Sequence, residues 1–295
     1  MNKVLNKKND KLFLLILPGI LVILAAAVLI PQLDTIIFKD EAAYIPVSMP
    51  IETEAPSYSP SPFLAVSSTP VPEHGLSINN NKLCFYDSSS DRFGTLGIDV
   101  SFYNGSINWN DLKNYGIDFA LIRLGGRGWG TGALYKDDFF FEYLNGVKRA
   151  GLKVGVYFYS AATNTTEAIN EARLVIKALC GIGLDLPVFF DTEFSGDYPS
   201  GRSDKLSIAQ RMEITNAFCR EIEESGYEAG IYSGESFLTI NLSNRDLQKY
   251  SIWLASYTEN CSLPMYKGKY DIWQFTDRAK VPGVSGNVDL NVMFN

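Results

Sequence analysis

From Leu96 onward, short apolar runs alternate with stretches whose apolar residues recur at helical spacing. Leu96–Val100, Phe119–Arg123, Val154–Tyr159, Leu186–Phe190 and Ala229–Tyr232 read as strands. Between and after them Trp109–Tyr115, Phe139–Ala150, Thr165–Leu179 and Ile208–Ser225 read as helices, with Asn108 available to cap the first and Gly151, Gly181 and Gly226 following the others. Long helices then cease. Ile252–Ala255, Tyr270–Gln274 and Val288–Leu290 are strand-like pieces on shorter connections. Strict alternation implies a parallel sheet with helices outside it. Eight strands in about 200 residues predict an α/β fold, a TIM-like β/α barrel with fewer outer helices: five β/α units plus three strands. An open doubly wound sheet is the rival, but Gly125-Gly126-Arg127-Gly128 lacks the spacing of a phosphate loop and opens no helix.

Ahead of this pattern lies a different one. Leu12–Ile30 contains no charge and, at about 1.5 Å per residue, nearly matches a hydrocarbon core of roughly 30 Å. Lys3, Lys7, Lys8 and Lys11 precede it. The chain is therefore expected to be single-pass, with its N-terminus in the cytoplasm and the remainder outside. Secretion after signal cleavage is the alternative, although the apolar run exceeds the usual signal-peptide length. Pro46–Pro72 is rich in Pro, Ser and Thr and suits an extended tether. Leu76–Arg92, with its Asn-rich turn, predicts a small hairpin. The organisation is a basic cytoplasmic tail at 1–11, a transmembrane signal anchor at 12–31, a Pro/Ser-rich extracytoplasmic linker and extension at 32–95, and a folded domain at 96–295.

Composition narrows the chemistry. A net charge of −7 with no basic cluster beyond the N-terminus argues against nucleic acid. The single histidine, His74, sits in the Pro-rich region, which excludes a Ser-His-Asp triad in the core and disfavours a His-based zinc site. Cys84, Cys180, Cys219 and Cys261 show no C-x-x-C spacing. Cys180 and Cys219 fall in helical patterns and read as buried apolar residues. Disulfides are open to an extracytoplasmic domain, with pairing unassigned.

Asp191 and Glu193 close the apolar run Leu186–Phe190. Side chains two apart on a strand point the same way, so two carboxylates leave a buried strand side by side. Acids that close do not both ionise cheaply, and a protonated acid beside an ionised partner suits glycosidic-bond cleavage. Asp-x-Glu also serves as an ordinary cap, so its weight comes from company. Barrels place function at the C-terminal strand ends, and there the chain offers Asp99, Arg123, Tyr157, Tyr159, Asp191, Glu193, Tyr232, Trp253, Tyr257, Trp273, Gln274 and Asp289. Acids and rings converging on one rim make a polar cleft with stacking surfaces. A carboxylate-held Mg²⁺, as in a phosphodiesterase, is the metal alternative. No phosphate loop or basic cradle accompanies the acids, and neither metal nor cofactor is expected.

Gly97-Ile98-Asp99-Val100-Ser101 followed by Gly105-Ser106-Ile107-Asn108-Trp109 resembles the opening of glycoside hydrolase family 25, the bacterial, phage and fungal muramidases. Leu152–Tyr157, Pro187–Glu193, Gly230–Ser233, Trp253–Tyr257, Trp273–Phe275 and Pro282–Asn291 resemble its later segments, in order and at suitable spacing. The resemblance implies cleavage of the β-1,4 bond between N-acetylmuramic acid and N-acetylglucosamine in peptidoglycan. It matches Glu193 to the family's general acid and Asp99, Asp191 and Asp289 to its other active-site carboxylates. Arg123, Tyr157, Tyr159, Tyr232, Trp253, Tyr257, Trp273 and Gln274 are then expected to bind substrate. One departure is visible: Tyr157-Phe158-Tyr159 stands where many members have Tyr-His-Phe, which implies altered sugar contacts. Expected partners are peptidoglycan glycan strands, the membrane through the N-terminal helix, and envelope-spanning machinery. A wall-binding or scaffolding module that lost turnover is the non-enzymatic alternative.

Overall fold

One strand running against the others closes the sheet into a barrel. The computed structural model describes residues 74–79, 82–87, 92–196, 198–258 and 263–294. The apolar anchor, the Pro-rich tether and Cys261 lie outside the described residues. Strands β1 (His74–Asn79) and β2 (Lys82–Asp87) form the antiparallel hairpin expected from the Asn-rich turn. β2 then pairs with the first half of β3 (Arg92–Val100). The barrel strands follow as β3, β4 (Ile117–Arg127), β6 (Lys153–Tyr159), β7 (Val188–Asp191), β8 (Ala229–Gly234), β9 (Ser251–Ala255), β10 (Ile272–Ala279) and β11 (Val288–Phe294), with β11 hydrogen-bonded back to β3. A short β5 (Leu134–Lys136) pairs with the far end of β4.

Seven of the barrel strands are parallel; β11 is antiparallel to both β10 and β3. The all-parallel expectation is corrected here. Only residues 280–287 join β10 to β11, and a parallel return needs a crossover of about a dozen residues or more.

The helices are α1 (Trp109–Tyr115), α2 (Phe140–Ala150), α3 (Thr165–Leu179) and α4 (Ile208–Glu224), with two short ones, α5 (Glu235–Ile240) and α6 (Asn244–Leu247). Their starts are chemically marked. Asn108 Oδ1 accepts from the Asn110 and Asp111 amides, Asn164 Oδ1 accepts from Glu167, and Ser207 and Gln210 form a reciprocal capping box. Gly151, at φ 66°, ends α2 in the left-handed conformation that glycine adopts cheaply. At the end of α3 that position is taken by Cys180, φ 47°. Its side chain leaves the helix's buried face and is exposed, contrary to the sequence expectation, whereas Cys219 is buried as expected.

Two apolar layers result. The outer one lies between strands and helices. The inner one fills the barrel with Phe119, Leu121, Phe189, Trp253 and Ile272. Gly97 and Gly230 face this inner layer: a Cβ at either would collide with the ring of Phe119 or Phe189. Both glycines thus make room for the aromatic floor on which the polar layer stands.

Candidate active site

The polar layer is built by a step of two along each strand. Gly97, Leu121, Phe189, Gly230 and Ile272 lie in or face the inner layer. Two residues further on come Asp99, Arg123, Asp191, Tyr232 and Gln274, all on the same face. Because β11 runs the other way, its order is reversed: Asp289 and Asn291 precede Met293 in sequence. Asp289 stands directly across from Asp99 in the β3–β11 ladder.

Asp99 is the centre of this layer. It is 4% exposed. Its Oδ2 accepts Gln274 Nε2 and Asn291 Nδ2, each at 2.8 Å. Tyr232 and Tyr257 donate their hydroxyls to Gln274 Oε1 at 2.9 and 2.8 Å. Trp253 Nε1 donates to Asn291 Oδ1 at 2.7 Å. Burial raises the Asp99 carboxyl to about 6 against the opposing effect of these hydrogen bonds. Asp289, hydrogen-bonded to Asp99, is raised to about 9 by burial and by the Asp99 charge.

Asp191 and Glu193 face the same space. Asp191 is raised well above the carboxylate range, first by burial and then by Glu193, with Arg123 opposing. Glu193 is raised to about 7 by burial and by Asp99. Neighbouring strands pin the backbone here: Ser160 N–H donates to Asp191 O and Thr192 N–H to Tyr232 O, while Ser233 Oγ donates to Thr192 O. The loop beyond Glu193 is tied down by Asp204, which accepts from the amide and hydroxyl of Ser195 and the amide of Gly201. Arg202 of that loop reaches Glu167 on α3 with Nη1 and Nη2, at 2.7 and 2.8 Å.

Arg123 is buried and held by Asp137, Nε to Oδ2 at 2.9 Å. Asp137 also accepts the Phe102 amide, which brings the rings of Phe102 and Tyr103 to 5.0 and 5.3 Å from the guanidinium. Arg123 Nη2 and Asp191 Oδ1 are buried without a hydrogen-bond partner. Tyr157 and Tyr159 are half-buried on β6, and Tyr257 is exposed at the rim.

The two tryptophans are corrected. Trp253 points inward but is 1% exposed, packed edge-on against Tyr157 and Phe189. Its register partner on β10 is Ile272, which puts it one layer beneath the cleft. Trp273 alternates with Ile272 and Gln274, faces the outer layer, and donates Nε1 to Ser256 O. Neither presents a face for a sugar. Sequence reasoning missed Asn291, Asp137 and the Arg202–Glu167 pair. Asn291 had a usable signal, the same two-residue step from Asp289 that links Asp191 to Glu193.

Fold and site together define an eight-stranded barrel with a cluster of carboxylates at one end. Sequence comparison agrees: the profile of glycosyl hydrolases family 25 matches residues 98–284, and the chain belongs to that family. It is 30% identical over 210 residues to lysozyme M1 of Streptomyces globisporus, covering 68% of each chain. It is 28% identical over 195 residues to the autolytic lysozyme of Clostridium acetobutylicum, covering 66% of this chain and 54% of the relative, so it spans about half of that protein's length. Among solved structures it resembles the bacterial lysozyme of Streptomyces coelicolor, with TM-score 0.55, 28% identity, and 68% and 92% of the two chains covered.

Proposed function

We propose that this chain is a peptidoglycan hydrolase that cleaves the β-1,4 bond between N-acetylmuramic acid and N-acetylglucosamine, tethered outside the cytoplasmic membrane by its N-terminal apolar segment. The observation that carries the reading is the gathering of Asp99, Asp191, Glu193 and Asp289 around one cleft, with Glu193 raised to about 7. Among the described residues, Glu193 has no ion pair with a lysine or arginine. Its carboxyl is thus poised to give a proton to the leaving glycosidic oxygen at neutral pH.

As the bond breaks, positive charge develops on the sugar ring. Asp191, with an unpartnered Oδ1, stabilises that charge or orients the substrate's own acetamido group as internal nucleophile. Asp99 keeps negative charge beside Glu193 and so holds its proton. Arg123, Tyr157, Tyr159, Tyr232 and Tyr257 line the cleft for the glycan. A module that only bound the wall would gain nothing from crowding four acids, since each raised carboxyl costs stability at neutral pH. The tether reading rests on the basic flank, the apolar run and the Pro-rich arm of the sequence. It suits local wall opening, as in assembly of an envelope-spanning machine or in cell separation.

Mass spectrometry of purified peptidoglycan digested by the chain tests the activity. Muropeptides ending in reducing N-acetylmuramic acid are expected. Reducing N-acetylglucosamine ends, or undigested glycan, would refute the assignment.

A further inference from the structure

We propose that Asn291 and Gln274 are positioning residues that decide which member of the Asp99–Asp289 pair holds the proton: Asp99 is kept ionised and Asp289 is the acid-form partner. The inference starts from a donor that points one way only, the Trp253 indole. An indole N–H donates and never accepts. Trp253 Nε1 lies 2.7 Å from Asn291 Oδ1, so the amide must turn its Nδ2 outward, and that nitrogen lies 2.8 Å from Asp99 Oδ2. Gln274 gives its oxygen to the hydroxyls of Tyr232 and Tyr257 and its Nε2 to the same Asp99 oxygen. Two amide N–H groups on one carboxylate oxygen favour the ionised form of Asp99. The hydrogen bond across the β3–β11 register then takes its proton from Asp289.

Asn291 is fully buried, so it acts through Asp99 and not by touching substrate. The groups whose charge bears on the pair come from several elements. They are Asp191 on β7 with Glu193 beyond it, Tyr157 on β6, Tyr232 on β8 and Tyr257 after β9, with Arg123 of β4 acting on Asp191 and Asp277 of β10 acting on Asp289. The consequence reaches the general acid. An ionised Asp99 is the charge that holds the Glu193 proton. These two buried amides thereby set the pH range over which Glu193 can work. In this catalytic consequence the inference rests on the muramidase reading; the proton placement itself does not.

The test is a ¹³C titration of the aspartate carboxyls in the full chain, with resonances assigned from Asp99→Asn and Asp289→Asn. In the parent, Asp99 is expected to titrate at lower pH than Asp289. In Asn291→Leu the Asp99 midpoint should rise by about one pH unit, the loss of one hydrogen bond to a charged group, and the pH profile of wall lysis should narrow from both sides. Gln274→Leu reads the same midpoint if Asn291→Leu does not fold. A parent in which Asp289 titrates first overturns the proposal. So does a folded variant whose Asp99 midpoint is unmoved while lysis falls equally at every pH, the mark of a merely structural residue. A parent that titrates as expected but lyses no wall would refute the muramidase reading alone, because the titration needs no substrate.

Discussion

Arg202 forks onto both carboxylate oxygens of Glu167, joining the loop that follows Glu193 to the helix α3. The same guanidinium donates to Ala161 O. Glu167 is lowered to about 2, with the Arg202 hydrogen bond the largest effect opposing its burial. Arg202→Ala should cost on the order of 1 kcal/mol, since both side chains keep some contact with solvent. It should cost activity more: loss of the tie loosens the loop around the acid, and misplacement on the ångström scale lowers turnover roughly ten- to a hundred-fold. Lysis rates beside thermal melts of the same variant separate the two effects. Equal, small losses in both would mean the pair only stabilises the fold.

Glu193→Gln removes the transferable proton and keeps the shape. Turbidity clearing of purified walls should fall by about 10²–10⁴-fold, with far-UV circular dichroism unchanged. Lysis at the parent rate would take Glu193 out of its role.

The pH profile of lysis should be bell-shaped. Its alkaline limb lies at about 7, where Glu193 loses its proton. Its acid limb lies at about 6, where Asp99 gains one and no longer supports Glu193. These are values of an interacting set, so the limbs report the cluster as a whole. A profile flat from pH 5 to 9 would contradict the assignment of both groups.

Stability should run in the opposite sense to an ordinary acidic protein. Each site carboxyl binds its proton more tightly folded than unfolded. The native state therefore loses stability as pH climbs from the ordinary carboxylate range near 4 to about 9, the value of Asp289. Glu167 works the other way: its contribution is present above the ordinary value of 4.5 and fades as pH falls toward about 2. The melting temperature should peak in mildly acidic buffer, and Asp289→Asn should raise it at pH 9 while changing it little at pH 5. A melting temperature that climbs steadily from pH 5 to 9 is the contrary result.

Much of this was visible in the sequence because barrel strands are buried on both faces. Phe119–Arg123 and Leu186–Phe190 stand out as apolar runs, and the acids at their ends mark the rim. What was not visible is direction and depth. A strand pattern such as Val288–Phe294 reads the same whichever way it runs, so the antiparallel seam at β11 came only with the hydrogen-bond ladder. Trp273 was misjudged by one residue of parity, since Gln274 and not its neighbour faces inward. Trp253 has the right parity but lies a layer too low, a matter of barrel stagger that no single strand records. Asn291 earns its place by contacts to residues 38 and 192 positions away, and no local pattern encodes them.

The hairpin at the start of the described chain joins β3 at the end of the strand away from Asp99. His74 lies across from Asp87, and Asp87 across from Arg92 at the foot of β3. Asp99 is seven residues higher on that strand, roughly 20 Å at about 3.3 Å per residue. The polypeptide therefore joins the barrel from below. His74, where the described chain begins, and the acid at the top of β3 thus lie at opposite ends of that strand ladder.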